Sequence, residues 1–121
     1  MTDMTTRTGE DLRTSFRSMA SDVHLWVVHP GPGAEQALLD ARAVVERVAA
    51  SCTRFDPTSD LMRANEAGPR WSVVAPECFD ALVAAHDAYV ETAGRFDPRV
   101  LRVLTSYGYA TSLPFGSGPW P

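Results

Sequence analysis

The apolar residues between Ala34 and Ser51 recur with the period of one helix face, and this stretch constrains the fold more than any other. Ala34, Ala37, Leu38, Ala41, Val44, Val45, Val48 and Ala49 form the stripe, while Glu35, Asp40, Arg42, Glu46 and Arg47 fall on the other side. An α-helix repeats every 3.6 residues, so this spacing predicts an amphipathic helix that needs another element to cover its apolar face. A strand precedes this helix in the sequence. Val23-His24-Leu25-Trp26-Val27-Val28 is β-branched and aromatic, which suits a pleated, half-buried strand. It ends in the loop His29 to Gly33, which holds two Gly and two Pro, and is expected to extend back through Phe16 and Ser18.

The remaining elements follow from local punctuation. Thr53 to Pro57 breaks the helical pattern, and Ser59 is placed to cap a short helix through Leu61 and Met62 that ends near Gly68. Trp71-Ser72-Val73-Val74 alternates and reads as a short strand. Pro76 suits the first turn of a helix, since its missing N–H would have no intrahelical partner there. Phe79, Leu82, Val83, His86, Tyr89, Val90 and Ala93 then make one stripe, with Gly94 as a left-handed C-terminal cap. A last helical segment runs from Arg99 to about Tyr107. The polar, aperiodic residues 1–13 read as a disordered tail, and residues 114–121 as a truncated linker. Helices with only two or three strands give an α+β fold whose sheet is incomplete as it stands.

Charge and cysteine content exclude several function classes. The net charge of −4 argues against a nucleic-acid or anionic-membrane surface, because both need clustered positive charge. All eleven basic residues are Arg, and the absence of Lys and Ile suggests a GC-rich, bacterial genome. Neither a signal-peptide apolar core of ~7–15 residues nor a membrane span of ~20 is present, so the cytoplasm is the expected compartment. Cys52 and Cys78 share no metal-type spacing with His24, His29 or His86 and read as buried or half-buried thiols in a reducing compartment.

Few residues suggest chemistry by themselves. Gly31-Pro32-Gly33 precedes a helix, but Gln36 stands where a dinucleotide fingerprint needs its third Gly, so a plain loop is the better reading. His86 lies on an apolar stripe and reads as a satisfied core histidine; His24 and His29 read as surface residues. No Ser or Cys has a base partner visible in the sequence. Two loops combine aromatic and polar groups: Arg54 to Asp60, and Gly94 to Pro98. Each is compatible with a ligand-binding loop and with ordinary Asp-Pro turn chemistry.

Together these segments resemble the ApbE family of flavin transferases, in the family's order. Phe16-Arg17-Ser18-Met19-Ala20-Ser21 is similar to the opening F-x-x-M-G-T. Arg54 to Asn65 is similar to S-x-Y/F-x-x-x-S-x-L-x-R-x-N, the most specific of the matches. Ser72 to Glu77 fits v-x-v-s-p-e. Gly94-Arg95-Phe96-Asp97-Pro98 fits G-x-F-D-p-T, followed by Val100 to Gly108. The resemblance covers residues 14–113 and implies the N-terminal portion of an ApbE-like domain, with helices packed on a small, mostly antiparallel sheet. The implied activity is that of a FAD:protein FMN transferase. FAD is split at its pyrophosphate, FMN passes to a Thr or Ser of an acceptor flavoprotein, AMP leaves, and Mg2+ assists.

By the same resemblance Met19, Phe55, Arg95, Phe96 and Asp97 stand at FAD-binding positions. Phe55 would stack, Asp97 would hydrogen-bond, and Met19 would offer backbone and apolar contact. Ala20 replaces the family's Gly, Ser21 its Thr, and Arg99 a frequent Thr. The family's later G-G-I-A-K-G segment, catalytic His segment and magnesium ligands find no match in these residues. No catalytic or metal-binding residue is therefore assigned. The alternative readings are a non-catalytic flavin-binding remnant and a small α+β interaction domain.

Overall fold

The computed structural model describes residues 4–8 and 11–111 of the chain. Three strands, β1 (Met4–Thr8), β2 (Asp11–Ser18) and β3 (Ser21–Val27), precede four helices, α1 (Ala34–Cys52), α2 (Asp60–Ala67), α3 (Pro76–Glu91) and α4 (Leu101–Ser106). The fold is α+β, with one antiparallel sheet in the order β1-β2-β3. The chain divides into two compact units, Met1–Ala50 and Ser51–Pro121. No helix among the described residues is long and apolar enough to cross a membrane.

In the first unit, β2 alternates strictly. Leu12, Thr14 and Phe16 are buried, while Arg13 and Arg17 are exposed. The buried set meets α1, whose Leu38 is 4% exposed. The Arg42 guanidinium lies 4.6 Å from the centre of the Phe16 ring, and its Nε donates to Glu46 Oε1 at 2.8 Å. Of the stripe predicted over Ala34 to Ser51, Leu38 is buried while Ala37 and Val44 are exposed, and Arg42, expected on the wet side, lies over Phe16. The polar Thr14 is tolerated inside because its Oγ1 accepts from Thr5 Oγ1 at 3.2 Å. On the opposite face, paired residues of β2 and β3 interact side by side: Arg17 with Asp22 at 2.9 Å and Ser15 with His24 at 2.9 Å.

Two expectations about this unit need correction. The strand at Val23 does not continue back through Phe16 and Ser18; the chain turns at Met19-Ala20, making β2 and β3 a hairpin in which Ser18 pairs with Ser21. The reading of residues 1–13 as a disordered tail also fails, since β1 spans Met4–Thr8 and β2 begins at Asp11. Polar strands lack an apolar run, but the backbone ladder with β2 satisfies their N–H and C=O groups whatever the side chains.

In the second unit, Ser59 caps α2 as expected. It is 5% exposed, its Oγ accepts from Met62 N at 3.2 Å, and it donates to Thr53 O at 2.6 Å. Pro76 occupies the first turn of α3, and Gly94 has φ +80° past its end. The strand expected at Trp71 to Val74 does not form. No described strand pairs with it, and Trp71 and Val73 are 103% and 90% exposed. Instead Ala75 N–H donates to Asp60 Oδ2, which ties the start of α3 to the start of α2. The α3 stripe is also less covered than its period implies: Phe79, Leu82, Val83 and Val90 are all exposed. His86 is exposed on the same helix, its side chain 74% accessible beside Asp87, so the core-histidine reading is overturned. The helical period placed it in line with apolar residues, but that line faces solvent.

Candidate functional site

The Arg54-to-Asn65 segment forms a compact loop followed by a helix. Asp56 Oδ1 accepts from the N–H and hydroxyl of Thr58 at 2.8 and 2.7 Å, closing an Asx turn. These bonds, led by that of the Thr58 hydroxyl, hold the Asp56 carboxyl below the usual carboxylate range. Ser59 then caps α2, and Arg63 bridges the Thr58 carbonyl and Asp60 Oδ1. The Ala75 N–H and then Arg63 keep Asp60 ionised to lower pH than a free aspartate. The motif residues Ser59, Arg63 and Asp60 are therefore structural fasteners. Phe55 differs. The residue is 46% exposed, with the Arg54 guanidinium 4.2 Å from the centre of its ring. Arg54 also lies 5.3 Å from the Tyr109 ring and donates to the Tyr109 carbonyl. A cation is thereby fixed against a half-exposed aromatic residue.

The Gly94-to-Pro98 loop is built on the end of α3. Thr92 Oγ1 donates to Ala88 O at 2.7 Å and accepts from Phe96 N at 2.9 Å. Gly94 N–H reaches back to Tyr89 O at 2.8 Å, while Ala93 and Gly94 both carry positive φ. Arg95 and Phe96 are exposed, Phe96 by 48%. Asp97 is engaged by one neighbour at three points: Oδ1 accepts from Arg99 N at 2.9 Å and Nε at 3.0 Å, and Oδ2 from an Arg99 terminal nitrogen at 3.0 Å. That neighbour, chiefly through its side chain, holds the Asp97 carboxyl low. The Arg99 guanidinium in turn lies 4.9 Å from the centre of the Tyr89 ring. A carboxylate offers about four acceptor sites. The three bonds from Arg99 use three of them, two on Oδ1 and one on Oδ2.

Met19 belongs to the first unit. It is 62% exposed in the β2–β3 turn, its φ +51° followed by +56° at Ala20. Positive φ at both central residues of a two-residue hairpin loop is the type I′ arrangement, which favours Gly at the second position. A Gly at the position of Ala20, expected from the resemblance, would suit this turn conformation. Two concavities in this unit, of about 260 and 460 Å³, are lined by β-strand and α1 residues such as Thr14, Glu35 and Arg42, or by Gly31 and Gly33. Met19 lines neither.

The structure therefore sorts the five predicted positions into three places. Met19 sits in a hairpin turn, Phe55 in an Arg54–Tyr109 cluster, and Arg95, Phe96 and Asp97 in a loop locked by Arg99. Sequence reasoning placed Arg54 in a candidate loop without giving it a role, and missed Tyr89, Arg99 and Tyr109. The Asp97–Arg99 spacing was the one usable signal, since Asx turns bond to the residue two positions on. The Arg54–Tyr109 contact spans too much chain to be read from a pattern. A model of the ApbE family matches residues 19–119. The chain belongs to the ApbE family. No curated protein and no solved structure matches it. The ApbE match takes in both loops and the hairpin turn at Met19. No cluster of His, Cys, Asp and Glu able to hold a metal ion forms among the described residues, so a magnesium ion has no fitting donor set there.

Proposed function

We propose that this chain is the flavin-binding portion of a FAD:protein FMN transferase, and that it holds FAD while FMN passes to a Thr or Ser of an acceptor flavoprotein. The reading rests on family membership. The structural observation that supports it is the half-exposed Phe55 fixed against Arg54 in the family's most specific segment. A flat, apolar ring on a half-exposed residue suits an isoalloxazine or adenine ring system, and a neighbouring guanidinium suits the pyrophosphate. In this reading Arg95 adds a second cation, Phe96 a second aromatic surface, and Asp97 accepts a hydrogen bond from the flavin. Met19 contributes backbone and apolar contact from its turn. The role of Asp97 is then double, because its bonds to Arg99 also shape the loop that presents Arg95 and Phe96.

FAD fluorescence, quenched when the flavin stacks on an aromatic ring, tests this directly. Stacking of a heteroaromatic ring on a side chain is worth ~1–3 kcal/mol. Phe55→Ala is therefore expected to weaken FAD binding by about tenfold or more, and Asp97→Ala to weaken it as well. Unchanged affinity in Phe55→Ala, with a native circular dichroism spectrum, would remove the Phe55 assignment.

A further inference from the structure

Tyr109 follows α4 in the chain and lies outside both loops that carry the flavin assignments, yet the fold ties it to Phe55 through Arg54. The Arg54 guanidinium stands 4.2 Å from the centre of the Phe55 ring and 5.3 Å from that of Tyr109. Both distances fall within the ~6 Å at which a cation is attracted to a ring. Arg54 also donates to the Tyr109 carbonyl, 55 residues further along the chain. The anchor is itself held. Tyr109 N–H donates to Leu104 O at 3.0 Å and Gly108 N–H to Thr105 O at 3.0 Å, which fastens the turn to the end of α4. Gly108 makes that turn at φ +88°, where any side chain would be strained. Arg54 and Tyr109 are half-buried, whereas Phe55 is exposed.

We propose that Tyr109 is a positioning residue of the site, fixing the Arg54 guanidinium, and through it the Phe55 ring, before a flavin dinucleotide binds. The proposal rests on the flavin reading of Phe55 and Arg54. An unheld arginine samples many rotamers, and ordering it on binding costs affinity. Two rings and a carbonyl order Arg54 in advance. A guanidinium carries five N–H donors, so the one spent on the Tyr109 carbonyl leaves others for phosphate oxygens. Tyr109 itself touches no ligand in this scheme. Its contribution reaches the ligand through a cation, and so depends on the ligand carrying phosphate. FAD should register it, and riboflavin, which has the same ring system without phosphate, should register it far less.

Quenching of FAD and riboflavin fluorescence by the full chain provides the test, with circular dichroism as the check on folding. Tyr109→Leu removes the ring and keeps the carbonyl; it is expected to weaken FAD binding about two- to fivefold, with a clearly smaller loss for riboflavin. Tyr109→Phe puts the ring back and is expected to restore FAD affinity. In an Arg54→Ala background Tyr109→Leu is expected to have no further effect, because the two residues act as one unit. Arg54→Lys keeps the charge without the planar fork and is expected to lose FAD affinity to a similar degree, which decides the matter should Tyr109→Leu not fold. Equal losses for FAD and riboflavin, or an undiminished loss in the Arg54→Ala background, would show that Tyr109 acts on the fold at large and overturn the proposal. Wild-type FAD affinity in Tyr109→Leu, beside weakened binding in Arg54→Ala, would overturn it and leave the flavin reading standing. Wild-type affinity in both Arg54→Ala and Phe55→Ala would remove the flavin reading, and the proposal with it.

Discussion

Met19 and Ala20 hold φ of +51° and +56°, a region in which an L-residue is crowded by its own Cβ at a cost of ~1–2 kcal/mol. The β2–β3 hairpin imposes this strain, since the type I′ turn that these two residues adopt matches the twist of the flanking strands and needs positive φ at both. Ala20→Gly is therefore expected to stabilise the chain by about 1 kcal/mol, read as a higher urea midpoint with unchanged slope. The opposite holds at Gly94, where φ is +80° and an added Cβ would stand 3.4 Å from Cε2 of Tyr89. Gly94→Ala is expected to cost ~1–2 kcal/mol by the same measurement, and to disturb the loop that carries Arg95 to Asp97. His86, which the helical period had placed in a core, should tolerate Ala with a change within about 0.5 kcal/mol, as exposed positions do.

At the scale of elements, carboxylates fasten the loops of the second unit. Asp56 closes the turn before α2, Asp60 ties the starts of α2 and α3, and Asp97 locks the loop after α3. Each accepts these hydrogen bonds more strongly when ionised, and each has its pKa lowered in the folded chain. An unfolded aspartate titrates near ~3.9, so the folded state binds fewer protons than the unfolded state just below that value. The stability these three groups supply is therefore full above about pH 4 and is lost as the pH falls through their lower folded values. Thermal melts are expected to be flat with respect to these groups near neutrality and to fall steeply below about pH 4. An Asp60→Asn variant should lose part of that dependence; an acid limb identical to wild type would show that Asp60 is not a fastener.

At the scale of the whole molecule, buried side chains are few against the apolar surface that stays exposed. Leu12, Phe16, Leu38 and Cys78 are the buried hydrophobic residues among those described, while Trp71, Val73, Phe79, Val90 and Tyr107 are each more than half exposed. Exposed apolar surface on this scale favours association or dye binding. The chain is expected to bind 8-anilinonaphthalene-1-sulfonate under native conditions and to self-associate as its concentration rises, checked by dye fluorescence and light scattering. A monomer that ignores the dye and melts sharply and reversibly would contradict this.

What the sequence determined by itself was local. The period from Ala34 to Ser51, the Ser59 cap, Pro76 at a first turn and Gly94 past a helix end are each decided within a few residues by backbone sterics and hydrogen bonding. The order of four short motifs likewise sufficed for the family, because spacing along the chain is itself sequence information. Tertiary structure decided whatever depends on a distant partner. Polar β1 became a strand because β2 completes its ladder, whereas apolar Trp71 to Val74 pairs with no strand among the described residues. Arg54 became a fixed cation only when the fold set Tyr109 beside it. A hydrogen bond needs its donor and acceptor within about 3 Å, and no local pattern fixes a distance between residues far apart in the chain.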